Sequence, residues 1–179
     1  MSDCCNVPHQ TGITILDERL TMEVTQCAEC DDEGRSVSRQ TVLHHVRSEE
    51  LARVSDEAYR FCPSPNCQVV YYGDDGGRFT VEDVRELVTA KASGDERPLC
   101  YCFGFTEGDA REEIARTGKS TIPTRISQLI KEGMCACEVR NPSGACCLGQ
   151  VNQTVKCLAE DHRTATETAT TPLHDCCSR

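Results

Sequence analysis

The sequence contains no tryptophan, only four phenylalanines and four tyrosines, and only four lysines among its 19 basic residues. So few large apolar side chains leave a thin core: hydrophobic residues make up 38% of the chain, and that figure already includes 15 cysteines. At 179 residues, such a chain needs staples, either disulfides or metals. The shortage of lysine and the net charge of −10 remove the basic face that phosphate binding demands, which argues against a nucleic-acid partner. No apolar run is long enough to span a bilayer, so membrane insertion is not expected. The first residues, Met1-Ser2-Asp3-Cys4-Cys5, lack a basic n-region and an apolar h-region, so a cytoplasmic location is expected. No carboxylate pair or nucleophile–base set stands out, and a conventional enzyme is not expected.

What the sequence does have is cysteine. In a reducing compartment clustered thiols bind metal more often than they pair. Cysteines that are adjacent or one residue apart, such as Cys146/Cys147 and Cys100/Cys102, are also poorly placed to bridge one another. A disulfide framework is the alternative to metal.

The expected fold class is α+β: a small zinc-stapled, β-rich domain over residues 13–92, then a small helical domain over 98–160 that binds a metal–sulfur cluster. Residues 1–12 read as a flexible arm and 161–179 as a disordered tail of Thr, Ala and Glu. Within the first domain, Ser38 to Leu43 reads as a short strand or extended segment, and a helix capped by Ser48 is expected near 49–57. Gln68-Val69-Val70-Tyr71-Tyr72 is the strongest strand, with Arg78-Phe79-Thr80 as its return. Val81, Val84, Leu87 and Val88 have helical spacing over 81–90. The polar stretch 91–98 is the expected boundary. Beyond it, Thr106 caps a helix over 107–116 with Asp109 at the capping-box position, and Gly118 stops it. Ile126, Leu129 and Ile130 mark a helix over 124–132, and Leu148, Val151, Val155 and Leu158 one that starts near Cys146.

Cys27-x2-Cys30 and Cys62-x4-Cys67 form two knuckles. Two tight turns that each donate a pair of thiolates supply the tetrahedron zinc prefers, and four protein ligands leave no open position, which implies a structural role. His44 and His45 are possible substitutes for one thiol.

The second constellation lies in residues 99–149, with six cysteines at its two ends. Cys100-x-Cys102 with two further thiolates from residues 137–147 suits a rhombic two-iron cluster, whose ligands arrive in pairs. Asn141-Pro142-Ser143-Gly144 is a tight turn that can return Cys146/Cys147 towards Cys137, at the start of the last helix, where the dipole favours anionic sulfur. A second zinc is the alternative by composition. The termini carry further soft-metal ligands: Cys4, Cys5 and His9 at one end, His174, Cys176 and Cys177 at the other. Adjacent thiols there suit Cu(I) or Hg(II).

Residues 99–149 resemble the bacterioferritin-associated-ferredoxin-like [2Fe–2S] domain. More broadly, the order Cys27-x2-Cys30, Cys62-x4-Cys67-Gln-Val-Val-Tyr-Tyr, Cys-Tyr-Cys and Cys-x3-Asn-Pro-Ser-Gly-x-Cys-Cys resembles the N-terminal region of CopZ-type copper chaperones across residues 20–155. The resemblance implies zinc at Cys27, Cys30, Cys62 and Cys67. It implies a [2Fe–2S] cluster at Cys100, Cys102, Cys137 and one of the last pair: Cys147 is the choice, Cys146 the alternative, and Cys135 a thiol without a role. It implies a metallochaperone for copper or another soft metal, with one-electron metal reduction as an associated activity. Its partners would be a soft metal ion such as Cu(I) and a metal-transporting ATPase or a redox partner protein. A ferredoxin-like electron carrier and a structural zinc module are the competing readings. The Met-x-Cys-x-x-Cys copper-carrying domain that follows this region in CopZ is not found in the sequence.

Overall fold

The structure is a computed structural model that describes residues 24–169. The calls on the terminal arms, with Cys4, Cys5, His9, His174, Cys176 and Cys177, lie outside the described residues. The architecture is mixed α+β. Four short antiparallel strands, β1 (Arg35–Val37), β2 (Tyr59–Phe61), β3 (Val69–Gly73) and β4 (Arg78–Thr80), form one sheet in chain order. A two-stranded ribbon, β5 (Pro98–Cys100) and β6 (Phe105–Thr106), follows. Helices α2 (Glu107–Thr117), α3 (Ile122–Lys131), α4 (Cys137–Arg140) and α5 (Leu148–Ala169) make up the rest of the second half. Among the described residues no helix is long and apolar enough to cross a membrane.

Two main cores result. One is built from β-branched and aromatic side chains of the first half, among them Val42, Val46, Tyr59, Val70, Tyr71 and Phe79. The other joins Ala110, Ile114, Ile122, Ile126, Val151 and Leu158 to Cys100, Cys137 and Cys147. β3 is buried along its length. A register shift against β4 between Val69 and Tyr71 lets it serve two sides, with Val69 and Tyr72 packed on cysteines and Val70 and Tyr71 in the first main core.

Several elements depart from the sequence expectations. Residues 38–43 are not extended: Ser38 accepts a hydrogen bond from the Thr41 N–H and starts helix α1 (Arg39–His45). The capping geometry of Ser38 outweighs the modest β-propensity of Thr41 and Val42. The helix near 49–57 is a single 3₁₀ stretch, Ser48–Arg53, with Arg47 rather than Ser48 before it. Residues 81–90 are not helical. The Arg47 N–H bonds the Asp83 carbonyl at 2.8 Å and the Arg85 N–H bonds the His45 carbonyl at 2.8 Å, so this backbone pairs across to 45–47 instead of with itself. The Asp83 carboxylate also turns back to accept from the Thr80 N–H and hydroxyl. The polar boundary is tied down: Lys91 donates to the Ser64 and Cys67 carbonyls, and Arg97 to the Thr89 carbonyl. The last helix starts at Leu148 and extends to Ala169, so residues 161–169 are helical, not disordered. Ala and Glu are strong helix formers, and Thr164 and Thr166 return their hydroxyls to carbonyls of the preceding turn.

The expected capping box is present: Thr106 Oγ1 accepts from the Asp109 N–H, and the Asp109 carboxylate accepts from the Thr106 N–H. Gly118 follows in the left-handed conformation, with φ of 77°.

Candidate metal centres

The first centre is built from two turns. The Asp31 N–H bonds the Cys27 carbonyl at 2.8 Å and the Cys27 N–H bonds the Asp32 carbonyl at 3.0 Å, which folds residues 27–32 into a knuckle. The left-handed Asp31, φ 60°, completes it. The second knuckle hangs from the sheet through the Cys62 N–H to the Val70 carbonyl, 2.9 Å. Lys91 secures its backbone at Ser64 and Cys67. The knuckles meet, with Cys27 Sγ 3.9 Å from Cys67 Sγ and Cys30 Sγ 3.6 Å from Cys62 Sγ. All four sulfurs lie within 4.8 Å of one another. A tetrahedral ion with metal–sulfur bonds of about 2.3 Å sets its ligands about 3.8 Å apart, so the four thiols are grouped at the spacing zinc requires.

Burial pushes the Cys27 thiol up and the Cys62 thiol up to about 12. The Asp32 N–H, donating to sulfur, holds the Cys30 thiol below its usual value. Buried thiols so reluctant to ionise alone become thiolates when a cation compensates them. Tyr72 seals one side, donating its hydroxyl to the Thr25 carbonyl at 2.8 Å. Gly34 sits under that ring: a Cβ there would lie 2.1 Å from the Tyr72 hydroxyl. His45, a possible substitute ligand, is instead buried against the second half of the chain, and His44 packs edge-on to it.

The second centre is organised differently. Cys102 Sγ lies 3.7 Å from Cys137 Sγ. The neighbouring Cys147 thiol brings the Cys100 thiol down to about 6, and Cys100 together with burial pushes Cys147 up. Cys102 and Cys137 therefore form a close pair, with Cys100 and Cys147 in the same buried cluster, whereas among the described residues it is the first quartet whose ligand atoms are all mutually close. The Ala136 N–H points at Cys102 Sγ across 3.4 Å, and the backbone N–H groups of Phe103 and Cys102 favour the Cys100 thiolate, as that of Cys147 does for Cys137. The Val151 N–H bonds the Cys147 carbonyl, so Cys147 stands at the N-cap of α5, where the helix dipole favours negative sulfur. Burial pushes Cys137 up to about 12. Cys146 is exposed, while Cys147 is buried among the other thiols. Cys135 is half-buried beside them.

The Asn-Pro-Ser-Gly return forms a tight turn. Asn141 Nδ2 donates to the Ala145 carbonyl at 2.7 Å, and its Oδ1 accepts from the Ser143 N–H and hydroxyl at 3.1 Å each. Gly144 has φ of 64°, and a Cβ there would press on Val37 at 3.3 Å.

Lys91 and the side chains that join the two halves escape sequence reasoning. Lys91 lies in a stretch that reads as linker. Tyr101 sits between two cysteines, yet its hydroxyl turns away from them, accepting from the Thr89 N–H at 2.8 Å and donating to the Leu87 carbonyl at 2.9 Å. A tyrosine between two cysteines is the one local hint of this.

Comparison with known proteins places this geometry. Residues 24–85, which include the whole first quartet, match the CopZ-type family described as "Zinc binding domain". The chain is 32% identical over 122 residues to the copper chaperone CopZ of Archaeoglobus fulgidus, an alignment covering 68% of this chain and 57% of that protein. The chain therefore spans little more than half the length of that curated relative. The X-ray structure of the A. fulgidus CopZ N-terminal domain superposes with a TM-score of 0.59 at 29% identity, covering 72% of this chain and 95% of that one. The chain thus has a CopZ-like zinc-binding domain with a four-cysteine metal site.

Proposed function

We propose that this protein handles copper or another soft metal ion. In this reading zinc at Cys27, Cys30, Cys62 and Cys67 fixes the fold, and a [2Fe–2S] cluster at Cys100, Cys102, Cys137 and Cys147 serves electron transfer. The similarity to a copper chaperone supports metal handling. The observation that supports the cluster is the sulfur arrangement: Cys102 and Cys137 are a close pair, Cys100 and Cys147 share their buried cluster, and the Ala136 N–H is aimed at Cys102 Sγ. A zinc tetrahedron asks for one compact quartet, and a two-iron rhomb asks for two pairs. The division into domains at residues 13–92 and 98–160 goes with this reading, each domain holding one set of thiols.

When bound, such a cluster supplies one electron at a time, which with Cu(II) as substrate leaves Cu(I) and the oxidised cluster. The chain's part is to keep that site dry and thiolate-rich. Leu99, Ile114 and Val151 close round the ligands, and the α5 N-terminus and the N–H donors offset their charge. Soft thiolates favour Cu(I) over Cu(II), so an electron source in a thiol-rich protein matches its cargo. A metal-transporting ATPase or a redox protein is the partner class this implies.

The test is metal, sulfide and visible-absorption analysis of protein prepared without oxygen. Two irons, two sulfides and one zinc per chain are expected. Cys147→Ser should abolish the visible bands, while Cys146→Ser should leave them. Two zincs and no iron would make the protein a structural zinc module and end the redox reading.

A further inference from the structure

Two of the second set of thiols, Cys137 and Cys147, flank a loop that the first half of the chain grips. Thr41 Oγ1 donates to the Glu138 carbonyl at 2.7 Å, and the Tyr71 hydroxyl to the Pro142 carbonyl at 2.9 Å. His45 Nε2 lies 3.1 Å from the Val139 carbonyl. A carbonyl can only accept, so Nε2 carries the proton. All three side chains are buried, Thr41 and Tyr71 at 0% exposure and His45 at 2%. Their acceptors fall in one short run that starts beside Cys137 and leads through the Asn141 turn to Cys147.

From this we infer that Thr41, His45 and Tyr71 are positioning residues for the second metal–sulfur centre: the zinc-bearing half is the template that sets the spacing between Cys137 and Cys147. The inference rests on reading those thiols as a metal–sulfur site.

The physical argument is one of geometry against entropy. Residues 138–146 include only one short helix, α4, and a free loop of that length samples many separations of its ends. Three directional bonds from a rigid body remove most of that freedom. Each acceptor is a backbone carbonyl, so the grip fixes the path of the main chain regardless of the side chains along it. Tyr71 belongs to β3, whose next residue, Tyr72, packs on the first quartet. One strand therefore touches the first centre with one residue and holds the loop of the second with its neighbour. Tyr101 ties the Cys100/Cys102 jaw to the same body through Thr89 and Leu87.

The experiment uses the full chain with Thr41→Val, Tyr71→Phe, His45→Leu and His45→Gln, each prepared without oxygen. Gln carries an amide donor at about the reach of Nε2 and serves as the rescue. Two measurements are made. The first is release of iron to a ferrous chelator, with the visible circular dichroism of the cluster. The second is the alkylation rate of each cysteine, mapped by peptide, in protein that holds zinc but no iron. A buried hydrogen bond is worth about a fivefold change in such an opening equilibrium. Thr41→Val, Tyr71→Phe and His45→Leu are each expected to speed iron release and alkylation at Cys137 and Cys147 about fivefold and to alter the dichroism. His45→Gln should stay close to the unsubstituted protein, and Cys27, Cys30, Cys62 and Cys67 should be unaffected throughout. Unchanged rates in the three variants, or an equal rise at the first quartet, would overturn the inference. Absence of iron from the unsubstituted protein would instead overturn the cluster, and the alkylation map would still decide the template.

Discussion

The two cysteine quartets are held by opposite means. The first takes its sulfurs from two turns hung on one small sheet, and all four converge within 4.8 Å. Its neighbours, Tyr72, Gly34 and Lys91, come from the same half of the chain. The second takes its sulfurs from a ribbon, a four-residue helix and the cap of a long helix, and its loop is bonded to residues up to 97 positions away in sequence. A local set of ligands produces a compact site that needs only its own turns. A distributed set is less compact, and its loop is bonded to a body outside itself. The difference teaches that the first quartet can be understood from its own knuckles, whereas the loop between Cys137 and Cys147 takes its hold from the first half.

The largest expected effect breaks the comparison at its root. Cys62→Ser removes one thiolate from the compact quartet. Structural zinc contributes about 10–16 kcal/mol of apparent folding free energy in small zinc-dependent domains, so this change should unfold the first half and release its zinc. If the second half depends on that body, its visible bands should fade as well. Zinc content and circular dichroism read both, and a folded, zinc-free variant would contradict the structural role.

A smaller effect concerns the seam between the halves. Burial, aided by His44, brings the His45 imidazole down from 6.5 to about 4. Between those values the unfolded chain binds more protons than the folded one, so stability is fully present above pH 6.5 and is lost as pH falls towards 4. The loss should reach about 3 kcal/mol. Urea unfolding from pH 7 to 4 checks it, with His45→Gln expected to lose correspondingly less than the unsubstituted protein over the same range. Equal slopes would show that the histidine does not carry the dependence.

The smallest effect sharpens the contrast by touching only the helical half. Thr106→Ala removes the hydroxyl of a capping box and should cost about 1 kcal/mol, lowering Tm by about 2–4 °C with zinc content unchanged. Calorimetry alongside zinc analysis decides it.

How much of this was legible in the sequence follows the same division. The knuckles were readable because their ligands are close in sequence and their spacing is set by turn geometry. The Thr106–Asp109 box and the helix it opens were readable for the same reason, since a cap is a local contract between residues three apart. Residues 81–90 misled because Val81, Val84, Leu87 and Val88 have helical spacing, whereas Leu87 is exposed and the backbone pairs with residues 45–47 instead. Residues 38–43 misled too: they read as extended, and the Ser38 cap makes them a helix. The bonds from Thr41, His45 and Tyr71 carry no local signature, because their partners are backbone carbonyls 71 to 97 residues downstream.

The direction of those bonds has a consequence for biosynthesis. Every side chain that grips the 138–142 loop precedes it in the chain, and the core that supports those side chains is drawn from residues 37–90. On the ribosome the first half is therefore available, with its four thiols, before Cys137 has been added. The later cysteines emerge onto a surface already shaped for them, so the order in which the two sets of thiols can be placed is written into the order of the residues.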